Sequence, residues 1–351
     1  MSRLYVKNLK RGMSVSDVFL VDTANFKQAR NGSHFVQLVL RDATGSVKAL
    51  RWESNPEEFR LLESNPFLLT NGRVEEYQGN LQIIVDEMTP LSAKDANVDP
   101  AEFLPRTAHD IDAMESELRA IVAGIERAPV RQLVEAILER PGARDGLRGA
   151  PAGKTMHHAY VGGLLEHVLS LSKLALNVCD HYPWLDRSIL IAGVVLHDLG
   201  KIEELDYLSG FSYTAEGQLI GHIAMATQWI DEAARSIDGL DEETVLHLKH
   251  IVLSHHGRLE FGSPKVPATA EAMALHFLDN LDAKLAGYLD AFRNVSLTPD
   301  GDRFGDYNTM FATRLFFPRQ LDQATHEPAG PTPGPAANSG SAPAPAEPKR
   351  R

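Results

Sequence analysis

The stretch VVLHDLGKIEEL, residues 194–205, sets His197 and Asp198 side by side at the end of an apolar run, with Gly200 and Lys201 directly after. Residues Asp186–Leu199 have the length and apolarity of a buried helix, and Gly200 is a helix-ending residue. Neighbouring residues on a helix diverge by ~100°, yet both can turn to one point if the helix end faces it. Asp198 has two carboxylate oxygens and is the natural bridge between two cations. Working outward, more groups of the same chemistry follow: His167 upstream, then His222, the pair His255-His256 and Asp279 downstream. These seven groups exceed what one ion needs, so the pattern reads as a pair of divalent ions. Mixed nitrogen and carboxylate donors suit Mn, Fe, Co, Ni or Zn better than magnesium, with manganese the first choice. Ions held ~3.5–4 Å apart are a common device for cleaving phosphate esters.

The histidines are concentrated: the chain has 14, and 11 of them fall between His157 and His276. Any one would more often be a surface or hydrogen-bonded residue. The adjacent pairs His197-Asp198 and His255-His256 resist that explanation. Lys201 stands four residues after His197, where its charge would offset charge developing on a phosphate; its structural alternative is a pair with Glu203 or Glu204. Asp282 follows Asp279 at i+3, on the same side of a helix. It is grouped with the substrate-binding candidates and could also hold a ligand histidine in one tautomer, the alternative being a pair with Lys284.

The flanking sequence divides into parts. Over residues 1–92, Ser14–Asp22, Phe35–Arg41, Ser46–Trp52, Phe67–Tyr77 and Leu81–Met88 read as strands separated by turn signals, with a short helix at Pro56–Glu63. Five strands in about 80 residues fit a small closed barrel, an OB-fold. Alternation puts Val36, Leu38 and Leu40 inside and leaves Phe35, Gln37 and Arg41 outside, where such barrels stack and grip single strands; Phe35 packed beneath a loop is the plainer alternative. Residues 93–110 read as a linker and 111–317 as an all-α domain. Its helices are expected at Ile111–Glu126, Val130–Arg140, Tyr160–His181, Asp186–Leu199, Leu219–Ser236, Glu242–His255 and Ala270–Phe292. A glycine-rich loop is expected between the second and third, and a last short helix at Asn308–Leu315. The Pro/Ala-rich residues 318–351 are expected to be a disordered tail.

Composition bounds the function. The chain of 351 residues is 43% hydrophobic and 23% charged, as soluble globular proteins are, and has no apolar run long enough to cross a membrane. The single cysteine, Cys179, excludes an intrachain disulfide and a cysteine zinc knuckle. The start, MSRLYVKNLKRGMSV, has no apolar signal region, and the expectation is a cytoplasmic protein. Net charge is −12, carried by residues 93–317 with 20 basic and 33 acidic side chains, whereas residues 1–92 hold 11 of each. That excludes a purely electrostatic nucleic-acid binder.

The order H…HD…H…HH…D resembles the HD superfamily of metal-dependent phosphohydrolases. More closely, APAGKTMHHAYVGGLLEHVLSL (150–171), VVLHDLGKIEEL, GQLIGHI (217–223) and LSHHGRLEFGSPKVPATAEAMALHFLDNLDAKL (253–285) resemble the YhaM family, bacterial 3′–5′ exoribonucleases in which an OB-fold precedes an HD domain. The resemblance implies one ion on His167, His197, Asp198 and Asp279 and a second on Asp198, His222, His255 and His256. It places His157-His158 near the substrate entrance, where with Lys154 and Arg148 they would meet phosphate oxygens. The cyclic-dinucleotide branch, with DGxGYP after its paired histidines, is disfavoured by HHGRLEFGSPKVP. The function implied is hydrolysis of single-stranded RNA, or DNA, from its 3′ end to nucleoside 5′-monophosphates by a water made acidic at the site, with a homo-oligomer compatible with the pattern. A phosphohydrolase of nucleotides or small phosphoesters, and a non-catalytic nucleic-acid binder with a structural metal, stay open.

Overall fold

The computed structural model describes residues 3–29, 32–77, 79–92, 102–153, 160–206, 212–293, 295, 301–319 and 321. Strands β1 (Ser14–Gln28), β2 (His34–Asp42), β3 (Gly45–Trp52), β4 (Phe67–Tyr77) and β5 (Asn80–Leu91) close into a barrel in the order β1-β2-β3-β5-β4. Every pairing is antiparallel except β3 with β5, which run parallel through Lys48↔Gln82 to Leu50↔Ile84. Val36, Leu38 and Leu40 are buried, as alternation requires, and they share the barrel core with Val15, Phe19, Ala49, Leu68, Val74 and Ile83. Helix α1 (Pro56–Ser64) starts with its Asn55 side chain accepting from the Glu57 and Glu58 amides, a standard N-cap. β1 runs six residues past the expected Asp22, through a bulge between Val21 and Thr23.

The stretch that reads as a linker is packed where it is described. Phe103 and Leu104 are buried, and the Phe103 ring meets Phe67 edge-on at 4.9 Å beneath the Arg3 guanidinium. Further on, the Thr107 amide donates to the Val161 carbonyl and the Thr107 hydroxyl to Glu166, next to His167. The barrel is thus joined by side-chain packing, as well as by the chain, to the segment that opens the main helical layer.

That layer comprises α2 (Ile111–Ala123), α3 (Ala128–Leu138), α4 (Ala143–Gly149), α5 (Gly163–His181), α6 (Arg187–Leu196), α7 (Lys201–Glu204), α8 (Ala215–Leu219), α9 (His222–Ala234), α10 (Glu242–Ser254) and α11 (Ala270–Arg293). Residues 188–196 of α6 are all buried, so this helix lies inside the layer, packed by α5, α10 and α11. One pair of two-residue strands, β6 (Leu205–Asp206) and β7 (Ser212–Tyr213), lies between α7 and α8.

Three expectations need correction. The glycine-rich loop holds a helix, α4, because Gly142 in the left-handed region turns the chain into it. The helix expected from Leu219 begins at His222, and a separate short α8 ends at Leu219. The helix expected at Asn308–Leu315 is a hairpin, β8 (Phe304–Asn308) with β9 (Thr313–Phe316). There the Asn308 carboxamide accepts from the Met310 amide, an Asx turn that competes with helix formation. The chain forms two compact units, residues 1–293 and 294–351, and this hairpin belongs to the second.

Candidate metal centre

The apolar run of α6 ends by delivering His197 and Asp198 into the middle of the helical layer, where both are buried. Asp198 directs its two oxygens to different histidines. Oδ2 lies 3.6 Å from His167 Nε2 and 3.4 Å from His197 Nε2, while Oδ1 lies 3.5 Å from His222 Nε2 and 3.6 Å from His255 Nε2. Asp279 Oδ1, from α11, stands 3.4 Å from His167 Nε2. Donor atoms of His167, His197 and Asp279 fall within 4.8 Å of one another, as do those of His222, His255 and His256, and those of His197, Asp198 and His255. The seven groups singled out in the sequence therefore converge from α5, the α6 end, α9, the α10 end and α11.

The histidines share one orientation. Nδ1 of His197 meets the Val194 carbonyl at 2.8 Å, His255 the Val252 carbonyl at 2.7 Å and His256 the Phe261 carbonyl at 3.1 Å. His167 Nδ1 meets Asp282 at 2.9 Å, and His222 Nδ1 meets Glu204 at 2.9 Å. Each acceptor places a proton on Nδ1 and turns Nε2 inward, the orientation that metal-binding imidazoles need. Nε2 of His197, His222 and His255 and Oδ1 of Asp198 are buried with no hydrogen-bond partner. Such groups cost about 1–3 kcal/mol each when left unmatched, and a divalent cation satisfies lone-pair donors of this kind. The donor set therefore fits divalent transition metals.

Electrostatics agree. Burial would raise the Asp198 carboxyl, but Lys201, His197 and His222 outweigh it and hold the group well below the usual carboxylate range. Lys201 Nζ donates to Asp198 Oδ2 at 2.6 Å and to the Ala152 carbonyl at 2.6 Å, so its partner is neither Glu203 nor Glu204. Burial opposes charge on His167 too, yet Asp279 and Asp282 raise it to about 9. For His255, burial and the neighbouring His197 and His256 push the pKa well down, keeping it neutral. Protons thus compete for the His167 nitrogen that a cation would take.

Two supporting residues differ in how legible they are. Asp282 holds His167 through one oxygen and accepts from the Ser170 hydroxyl at 2.7 Å through the other, so it serves a ligand histidine rather than Lys284 alone. Glu204 escaped sequence reasoning. Its Oε1 accepts from both the backbone amide and Nδ1 of His222, at 3.0 and 2.9 Å, a role hidden by the 18 residues between them. The signal available was its spacing of i+3 from Lys201, which puts both on the single turn of α7. Gly200 allows that turn to lie against α9, since a Cβ there would sit 2.2 Å from the His222 carbonyl oxygen. His276, further along, donates from Nδ1 to the His255 carbonyl, 2.8 Å away.

Of the other candidates, Arg148 has its guanidinium on Asp112 at 2.7 Å and on Glu115, and Lys154, His157 and His158 lie outside the described residues. On the barrel, Phe35 is partly exposed and its ring lies 4.9 Å from that of Trp52, its register partner on β3. Trp52 is 44% exposed and was not singled out in the sequence. Arg41 pairs with Asp22 at 3.6 Å. No described helix is long and apolar enough to cross a membrane.

Comparison with known proteins accords with this geometry. Residues 18–91 match the family model of an OB-fold nucleic acid binding domain, and residues 164–284 match that of the HD domain, whose members depend on divalent metals. The second OB-fold domain of replication protein A from Methanococcus maripaludis aligns with 25% of this chain and 94% of its own, at 21% identity and a TM-score of 0.21. The 3′-5′ exoribonuclease YhaM of Shouchella clausii (strain KSM-K16) is 34% identical over 280 residues, covering 80% of this chain and 86% of that protein. YhaM of Bacillus subtilis (strain 168) is 34% identical over 274 residues, covering 78% and 86%. With identity of this level across both the barrel and the histidine cluster, the chain belongs to the YhaM family of 3′-5′ exoribonucleases.

Proposed function

We propose that this chain is a metal-dependent 3′–5′ exonuclease that hydrolyses single-stranded RNA, or DNA, to nucleoside 5′-monophosphates. The observation that carries the reading is Asp198, whose two oxygens divide four histidines between them. His167, His197, Asp198 and Asp279 would hold one cation and Asp198, His222, His255 and His256 the other, with manganese the first choice. Cations bound there lower the pKa of water and offset charge on a phosphoryl group.

The protein's own groups do the rest. Asp198 and Lys201, buried against each other, keep a fixed charge pattern that need not reorganise as phosphoryl charge grows. The five Nδ1 hydrogen bonds hold the imidazoles still, with Nε2 turned to the cluster. Asp282 acts through His167 and only indirectly on substrate. Phe35 and Arg41 on the barrel would contact the strand, and Arg148, Lys154, His157 and His158 would meet its phosphates near the site. Two weak surfaces on one chain raise the local concentration of the strand end at the cluster. Residues 1–92 thus serve as the binding domain and 111–317 as the hydrolytic one, joined through 93–110. A cytoplasmic setting and a homo-oligomer belong to the same reading.

A 5′-labelled oligoribonucleotide tests it. Incubated with manganese-loaded protein, it should shorten one nucleotide at a time from the 3′ end and release 5′-monophosphates, and a DNA oligomer run beside it reads which sugar the site prefers. Phosphate release from free nucleotides with the oligomer intact would replace the reading with a small-ester phosphohydrolase. Tight binding without cleavage under every divalent metal would leave only a binding protein.

A further inference from the structure

The paired histidines run directly into a turn that is stiff, apolar and exposed. Within Arg258–Ser263 the Phe261 amide donates to the Arg258 carbonyl at 3.1 Å, the Gly262 amide to the Leu259 carbonyl at 3.0 Å and the Ser263 amide to the Arg258 carbonyl at 3.2 Å. Ser263 is buried, and its hydroxyl reaches the carbonyls of Leu253 and Lys265. At the start of the turn Gly257 has φ +78 and lies against the His276 ring, only 2.1 Å from where a Cβ would stand. The backbone is fixed at both ends. Its side chains nevertheless point outward: Leu259 is 64%, Phe261 61% and the Arg258 side chain 67% exposed. The Arg258 guanidinium lies 5.7 Å from the centre of the Phe261 ring and 3.9 Å from Glu260.

The place of this turn is decisive. The Phe261 carbonyl is the acceptor for Nδ1 of His256, and His256 is the least buried of the five histidines. Phe261 therefore stands directly behind His256, at the least buried of the five histidines. The hydrogen bonds fix the backbone that carries this ring, and the ring itself is largely exposed. An exposed ring on a fixed turn, with a guanidinium beside it, suits a planar π-faced ligand, and every nucleobase is one.

Resting on the exonuclease reading above, we propose that Phe261, backed by Arg258, is the surface on which the 3′-terminal base of the substrate stacks. Stacking on a ring accepts all four bases alike, as an enzyme that consumes a strand from its end requires. By holding the last base, Phe261 sets the distance of the last phosphodiester from the histidine cluster. Phe261 is thus a substrate-binding residue and Arg258 its support.

The test uses an oligoribonucleotide carrying 2-aminopurine at its 3′ terminus and a phosphorothioate in the last linkage to slow cleavage. Wild-type holoprotein should quench the fluorophore, F261L should abolish most of the quenching and F261W should restore it. The same label placed five nucleotides inward should respond equally to wild type and F261L. On an unmodified oligomer F261L should raise KM about tenfold with a smaller change in kcat, at unchanged bound metal and unchanged melting temperature. Equal quenching and equal KM in F261L and wild type would overturn the proposal while leaving the exonuclease reading intact. Altered sedimentation of F261L with quenching preserved would assign the ring to a contact between copies and equally overturn it. An oligomer that wild type does not shorten at all would instead sink the exonuclease reading.

Discussion

The barrel and the helical layer bury different things. The barrel core is apolar side chains from alternating strand positions, and its polar groups of interest, Phe35's neighbours Gln37 and Arg41, face outward. The helical layer has a larger apolar core, yet at its centre it buries His167, His197, Asp198 and His255 almost completely. Hiding a carboxylate and several imidazoles costs free energy unless each is matched, and the buried Nε2 atoms of His197, His222 and His255 have no hydrogen-bond partner. The barrel is what stability alone would select. The cluster is explained by what it holds.

That contrast can be broken at its centre. Asp198→Asn keeps the shape of the side chain but removes the charge shared by four histidines and Lys201. Bound metal should fall sharply and turnover on an oligoribonucleotide should drop by at least about a thousandfold, while the barrel's affinity for the same strand stays within about threefold. Metal analysis with single-turnover kinetics decides it, and an Asp198→Asn protein retaining a tenth of its activity would show the cluster to be structural.

A smaller loss is expected one layer out. Glu204→Gln keeps an acceptor near His222 but loses the charge that strengthens it, and metal affinity should weaken roughly 10–100-fold. Calorimetric titration of the metal-free protein reads this without reference to activity. Because protons and cation compete for His167, whose pKa is raised to about 9 despite burial, affinity should also rise as pH increases from 6 toward 9. Flat affinity across that range would contradict the assignment.

On the barrel side, Trp52→Ala removes the partly exposed ring that meets Phe35. Strand affinity should fall about tenfold with bound metal unchanged, measured by fluorescence anisotropy. Equal affinity would move the strand to another face.

The smallest effect concerns stability. Burial raises the Glu115 carboxyl, but Arg144, Arg148 and Arg119 outweigh it and lower the pKa from 4.5 to about 2. A group with a depressed folded pKa contributes stability that is present above its unfolded value and lost as pH falls through the folded one. Glu115→Gln should therefore lower the melting temperature by a few degrees at pH 7, and the gap from wild type should close between about pH 4.5 and 2. A constant gap across that window would mean the charge of Glu115 is not what its arginines hold.

Legibility followed the range of the interactions. Val36, Leu38 and Leu40 were readable because a strand alternates within a few residues, and His197-Asp198 because adjacency at a helix end is itself a pattern. Trp52 was missed as Phe35's partner because register belongs to the pair of strands. Glu204 was missed because its bond to His222 spans 18 residues and depends on the close approach at Gly200. The hairpin at Phe304–Phe316 was misread because one Asx turn at Asn308 outweighs a short helical pattern.

The sequence by itself determined which donors exist, their order along the chain and the type of element that carries most of them, since residue chemistry and local periodicity are written in neighbours. Only the tertiary structure decided that Asp198 offers one oxygen to each group of histidines, that the Nδ1 of each of the five finds an acceptor, and that Phe261 stands exposed on a fixed turn behind His256. Those are distances between residues far apart in the chain, fixed by the packing of α6 inside the helical layer and by nothing that any single segment contains.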